Sequence, residues 1–164
     1  MKNSRVSSNF AMSALLALMT THAGAQSHGA GDLRVRTENQ AFITQIGDAQ
    51  RAAIEQHNIY GGLLNGAIQQ RGIGNDASIS LEGGDLSGAV IQSGNDNHAT
   101  LEIRDEHNRG AIEQYGDSNA AGLQIEGYGR DVTLIQQGNR HGNDSPIKVD
   151  GKTPGSLPIT IRQY

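Results

Sequence analysis

Residues 67–81, AIQQRGIGNDASISL, decide the fold. Apolar or amide side chains stand at every second position in two short arms, 68–70 and 77–81. Alternation with a period of two indicates β-strands that bury one face. Gly72 and Asn75 frame the four-residue link between the arms, and both residue types tolerate positive φ in turns. The stretch therefore predicts a strand–turn–strand unit.

The same unit occurs five times, with its leading Gln spaced 25, 22, 22 and 22 residues apart. Columns of matching residue types at a fixed period indicate a repeat architecture. The aligned positions that we expect to form the core of self-assembly are Ile43, Gln45, Gly47 and Gln56; Ile68, Gln70, Gly72, Asn75, Ala77 and Ile79; Val90, Gln92, Gly94, Asn97, Ala99 and Leu101; Ile112, Gln114, Gly116, Asn119, Ala121 and Leu123; and Leu134, Gln136 and Gly138.

One such unit cannot bury its apolar face alone, so the copies are expected to stack at about 4.8 Å. The predicted fold is all-β, a two-sheet β-solenoid of five strand–turn–strand coils with amyloid-like cross-β stacking. The Gln column would then form a ladder of side-chain amides along the axis. A thin core of small and aliphatic residues also explains why aromatic residues make up only 4% of the chain.

Outward positions give a second estimate of the stacking register. Glu82, Arg104, Glu126 and Lys148 fall one coil apart and alternate in charge, which favours direct pairing. The 22-residue period places Ile147 in the last inward column, beside Ile125, and the charge column supports the inclusion of 147–149 in a fifth coil.

Composition and the N-terminus bound the remaining possibilities. The chain has 164 residues, no Cys and a formal net charge of −4, which excludes disulfides and argues against non-specific nucleic-acid binding. Residues 1–25 have a basic start, an apolar stretch and an Ala-x-Ala site before Gln26, so we expect a secretory signal peptide cleaved between Ala25 and Gln26. The expected organisation is signal peptide 1–25, N-terminal segment 26–38, five repeats over 39–149 (about 39–64, 65–86, 87–108, 109–130 and 131–149) and C-terminal tail 150–164.

The two ends of the stack differ. The first coil has no proline or helix to protect its sheet edges, and unprotected edges are templates for another chain. All three prolines, Pro146, Pro154 and Pro158, lie in or beyond the last coil. The sequence thus indicates a self-associating protein with non-equivalent ends. It shows no constellation typical of a catalytic site, a metal site or a cofactor site, so we expect a protein that is not an enzyme.

The repeat from Ile68 to Ile79, with its copies from Ile43, Val90 and Ile112, resembles the curlin repeat of curli fibre subunits over residues 39–149. This resemblance implies a secreted bacterial functional amyloid, found as an extracellular fibre on the outer surface and acting in biofilm matrix and adhesion. It also implies other curlin subunits, an outer-membrane curli export machinery and the cell surface as partners. From the composition and the lack of a binding motif, we expect no cofactor and no specific nucleic-acid ligand.

Among curlins the chain is most similar to the minor type, which nucleates fibres at the cell surface. No Gly-rich segment precedes the first repeat, the strands carry several charges, and the last repeat is degenerate. It departs from the family pattern in two ways: the closing Gln of the unit survives only as Gln56, and the tail has one Arg162 in place of a basic cluster. The alternatives are a major curlin that builds the bulk of the fibre and, more remotely, a soluble monomeric β-solenoid that binds a ligand.

Overall fold

A computed structural model describes residues 39–142, 145–151 and 158–164. The expected signal peptide with its Ala25–Gln26 cleavage site, and the segment 26–38, lie outside these ranges. Within them the chain forms strands and no helix, and so contains no helix long and apolar enough to cross a bilayer. The strands are β1 (Gln40–Ile46), β2 (Arg51–Asn58), β3 (Leu64–Arg71), β4 (Asp76–Gly84), β5 (Leu86–Ser93), β6 (His98–Glu106), β7 (Arg109–Tyr115), β8 (Ala120–Ile125), β9 (Asp131–Gln137), β10 (Ile147–Val149) and β11 (Ile159–Gln163).

The strands alternate between two parallel sheets, as the repeat predicts. Odd-numbered strands form sheet A in the order β1-β3-β5-β7-β9-β11, and even-numbered strands form sheet B in the order β10-β8-β6-β4-β2. Each coil contributes one strand to each sheet, so the chain is a β-solenoid of about five turns. The C-terminal tail adds one more strand, β11, to sheet A alone.

The predicted register is correct through the first four coils and wrong in the fifth. Lys148 pairs with Gln124, and Val149, not Ile147, pairs with Ile125. The turn before β10 is two residues longer than its counterparts, and this shifts the strand along its neighbour. Pro146 lies over Gly122 and has no N–H to donate, so regular pairing starts only after it.

Between the sheets lies a dry core of stacked aliphatic side chains. Leu64, Val90, Leu101, Ile112 and Leu134 are representative, each with no measurable exposure. Glycine in the strands keeps the sheets close: a Cβ on Gly110 would lie 2.7 Å from Ile125 Cδ1. Larger inward residues have no room there, which accounts for a core without aromatic side chains.

The turns explain the Gly-x-x-Asn spacing in a way that differs partly from the prediction. Positive φ falls on the glycine and on the residue before the asparagine, as at Gly94 (φ 129°) and Asp96 (φ 54°). Asn97 itself is not a positive-φ residue. The asparagine is therefore required for its side chain and not for its backbone conformation.

Candidate functional site: stacked amides and open sheet edges

The leading glutamines form a continuous ladder through the core of the solenoid. Each side-chain Nε2 donates to the Oε1 of the glutamine one coil further on, at 2.8 Å for the four bonds from Gln45 to Gln136. The inner members, Gln70, Gln92, Gln114 and Gln136, are at most 1% exposed. The predicted amide ladder is therefore confirmed, and every bond in it points the same way along the axis.

The second amide hydrogen of each inner glutamine is also used. Gln70 Nε2 donates to Arg51 O at 2.7 Å, and Gln92 Nε2 donates to Asp76 O at 3.0 Å. Gln114 and Gln136 donate in the same way to His98 O and Ala120 O. Each inner glutamine of sheet A is thus tied to the first residue of the sheet B strand in the preceding coil. A buried amide left without such partners would cost about 1–3 kcal/mol, so stacking is what makes glutamine tolerable in this core.

The asparagines in the turns that connect sheet A strands to sheet B strands form a second ladder. Asn97 Nδ2 donates to Gly116 O at 2.8 Å, and Asn97 Oδ1 accepts from Asn119 N at 3.0 Å. The first coil has Gln50 in this position; its Nε2 donates to Gly72 O, while its Oε1 is buried without a partner among the described residues. Each turn is thus held by the turn above it.

Two amide residues with a structural role were missed by the sequence interpretation: one extends the glutamine ladder and the other holds a single turn. Gln163 in β11 accepts from Gln136 Nε2 at 2.7 Å and so adds a sixth amide, 27 residues beyond the fifth. Asn108 is fully buried in the opposite turn, where its Nδ2 donates to Gly127 O at 2.6 Å and its Oδ1 accepts from Arg130 N at 2.7 Å. The Ile-x-Ile-x-Gln pattern of the tail was a usable signal for Gln163, whereas Asn108 has no counterpart in the other coils.

The structure places the predicted core positions together, with graded burial. Buried are Ile68, Gln70, Asn75, Ala77, Ile79, Val90, Gln92, Asn97, Ala99, Leu101, Ile112, Gln114, Asn119, Ala121, Leu123, Leu134 and Gln136. Half-buried are Ile43, Gln45, Gln56, Gly72, Gly94 and Gly116, and exposed are Gly47 and Gly138. Gln56 lies outside the amide ladder: its Nε2 donates to Gln40 O and Leu64 O. The half-buried side chains belong to the first coil, so the core is open at that end.

Among the described residues, no strand pairs with the outer strand edges at either end of the stack. At the N-terminal end these are the outer edges of β1 and β2, and Gln45 Oε1 accepts no hydrogen bond from the described part of the chain. At the C-terminal end they are the outer edges of β11 and β10, and Gln163 Nε2 donates none there. The ladder therefore has an acceptor end and a donor end.

Charge on the outer face of sheet B is concentrated around one arginine. Arg104 lies 3.8 Å from Glu82 and 3.2 Å from Glu126 in the neighbouring coils, and also contacts Glu102 on its own strand. Lys148 was expected to extend this column, but the shifted register of β10 places it beside Gln124. The predicted alternation of charge is therefore confirmed for Glu82, Arg104 and Glu126 and is wrong for Lys148.

Comparisons with known proteins give no relative: no family model, no curated protein and no solved structure matches the chain. Within the described ranges, no three His, Asp or Glu side chains are grouped closely enough to hold a metal ion. What the fold brings together is thus a set of stacking surfaces, namely two open ends and the ladders that run between them.

Proposed function

We propose that this chain is a secreted fibre subunit of the curlin type, and that it acts as the minor subunit that nucleates fibres at the bacterial surface for biofilm matrix and adhesion. One observation carries the proposal: within the part of the chain that the structure describes, both ends of a stack of near-identical coils are open, and the amide ladder leaves an acceptor at one end and a donor at the other. A further copy, or a curlin with the same column spacing, meets at the N-terminal end the partner groups that a coil meets inside the stack.

The minor role rests on the charges and on the uneven ends. Glu82, Arg104 and Glu126 form stacked pairs on the outer face of sheet B, and the last coil is irregular, with a three-residue β10. A subunit that templates at one end and differs at the other fits a nucleator better than a repeating fibre unit. The proposed partners are curlin subunits, the outer-membrane export machinery and the cell surface.

Nucleation is tested by adding a trace of the chain, beginning at Gln26, to a major-type curlin and following polymerisation with an amyloid dye. We expect the lag to disappear. A chain that stays monomeric at micromolar concentration, binds no dye and leaves the lag unchanged would instead be a soluble solenoid.

A matched pair of variants identifies the templating surface. Ile43→Asp with Ile54→Asp places carboxylates in the half-buried inward columns of β1 and β2, where an incoming strand would cover them. Thr44→Asp with Ala53→Asp adds the same charge to the exposed outward positions of these strands. The inward pair should restore the lag and the outward pair should not, because a covered charge is costly and an exposed one is not.

A further inference from the structure

The C-terminal end of the solenoid is uneven. Sheet A has six strands and sheet B has five, because β11 pairs with β9 while no described strand lies on the outer edge of β10. β11 is thus the single strand of a sixth coil that is only half complete. At the N-terminal end, in contrast, β1 and β2 complete one coil, and each sheet begins at the same level.

β11 carries the same inward pattern as β1. Ile161 pairs with Leu134 and Gln163 pairs with Gln136, as Ile43 and Gln45 pair with the strand above them. Gln163 is the last of the six inward glutamines and pairs with Gln136 on β9. It therefore occupies the position in which Gln45 of another copy would continue the ladder. β11 has the side chains of a first strand but lies at the last position of the stack.

A second copy can join this end in two ways. If its β1 stacks on β11, its β2 lies two strand spacings from β10, about 9.6 Å instead of about 4.8 Å, and sheet B is interrupted. If its β1 replaces β11 on β9, its β2 pairs directly with β10 and both sheets continue without a gap. In sheet A the second arrangement also matches strand lengths, because β1 and β9 have seven residues each and β11 has five.

Charges across the second arrangement are complementary. In the column spacing of sheet B, Glu55 of the incoming copy lies over Lys148. Opposite charges at directly paired positions stabilise neighbouring strands. No such pairing is made when sheet B is interrupted.

We propose that β11 is a displaceable cap that occupies the docking site for the first coil, β1 and β2, of a second copy of this chain. In the joined state Gln136 Nε2 transfers its hydrogen bond from Gln163 Oε1 to Gln45 Oε1 of the incoming copy, so the number of ladder bonds at that position is preserved. The cap slows the joining of free subunits because a copy docks only when β11 has left. This inference rests on the proposed function, since it concerns the joint between fibre subunits.

β11 is held less firmly than the strands that it follows. It pairs over five residues, Ile159 is 37% exposed, and Ile161 and Gln163 are half-buried where the equivalent residues of β9 are fully buried. When β1 of a second copy replaces β11, more backbone is paired and more apolar surface is buried, so the exchange is favourable.

A reversible disulfide tests the cap in the full secreted chain, which has no cysteine of its own. Thr133 and Thr160 are directly paired outward residues of β9 and β11, at a strand spacing within the Cα separation of disulfides. In Thr133→Cys with Thr160→Cys, oxidation should lower the rate of seeded fibre elongation about tenfold or more, because the docking-competent fraction falls, and reduction should restore it. The control is Ser78→Cys with Thr100→Cys, an equivalent outward pair of β4 and β6 inside the stack, whose oxidation should leave the rate unchanged.

A substitution gives an opposite and independent readout. Gln163→Ala removes the bond from Gln136 and weakens the cap, so elongation should become faster; Gln69→Ala on the exposed face of β3 is the matched control. Undiminished elongation of the oxidised Thr133–Thr160 pair, or slower elongation of Gln163→Ala, would show that β11 is itself the template and would overturn the cap while leaving the fibre function standing. Absence of fibres from every variant, reduced and oxidised, would overturn the proposed function.

Discussion

Replacing a central glutamine of the ladder by methionine separates hydrogen bonding from packing. Gln92 donates to Gln114 Oε1 at 2.8 Å and to Asp76 O at 3.0 Å, and accepts from Gln70 Nε2 at 2.8 Å. Gln92→Met keeps the length of the side chain and opens no large cavity. It removes all three bonds and leaves Gln114 Oε1 without its donor and one hydrogen of Gln70 Nε2 without its acceptor.

The magnitude follows from the number of buried groups that lose a partner. Each costs about 1–3 kcal/mol, and the apolar side chain returns about 1 kcal/mol of transfer free energy. For the two orphaned groups the expected loss is therefore about 1–5 kcal/mol, a large part of the roughly 5–15 kcal/mol that holds an ordinary domain together. Gln45→Met, at the half-exposed end of the ladder, breaks one bond and should cost about 1 kcal/mol.

The free energy of unfolding is measured by guanidinium denaturation, followed by circular dichroism at concentrations too low for assembly, with the slope m compared between variants. Gln69→Met is the matched control, because Gln69 lies beside Gln70 on the exposed face of the same strand; it should cost less than about 0.5 kcal/mol. If Gln92→Met loses no more stability than Gln69→Met, the ladder is a geometric consequence of stacking and contributes no stability.

Two further substitutions test the turn and the charged face. Gly94→Ala places a Cβ 2.0 Å from Gly116 O at a φ of 129°, so it should destabilise the chain by about 2 kcal/mol or more relative to Ser93→Ala, measured by the same denaturation. Arg104→Gln leaves three carboxylates of the sheet B face without their shared cation and should cost less than about 1 kcal/mol in low salt. That loss should shrink in high salt, because these groups are solvent-exposed and screened; a loss independent of salt would contradict the electrostatic explanation.

The fold was predictable because its information is local and repeated. Alternation of apolar residues identifies the strands, and the fixed spacing of Gln and Gly identifies which residues lie over one another. Gln70, Gln92 and Gln114 therefore lie in one column, as predicted. Because the coils repeat, an ambiguous strand boundary or register in one copy is settled by the matching positions of the others.

The errors occurred where the period fails and no other copy can correct the alignment. The fifth coil has two extra residues, and the fixed 22-residue period, supported by the charge column, placed Lys148 beside Glu126, whereas backbone pairing places it beside Gln124. Surface ion pairs are worth too little to set a register against the pairing of inward residues. The side-chain role of the turn asparagine was also hidden, because asparagine is equally common in turns for its tolerance of positive φ.

The same regularity gives the two ends of the stack their importance under the proposed function. In a stack of near-identical coils, stability is a sum of similar interface terms between neighbours, and an interface between Gln114 and Gln136 differs little from one between Gln45 and Gln70. An interface between coils of two chains has the same chemistry if the columns continue. Departures from the 22-residue period lie next to the ends, in the longer turn after β2 and in the residues around β10 and β11. Departures that would break an inner column are therefore confined to the first and last coils, which under the proposed function are the coils that meet another chain.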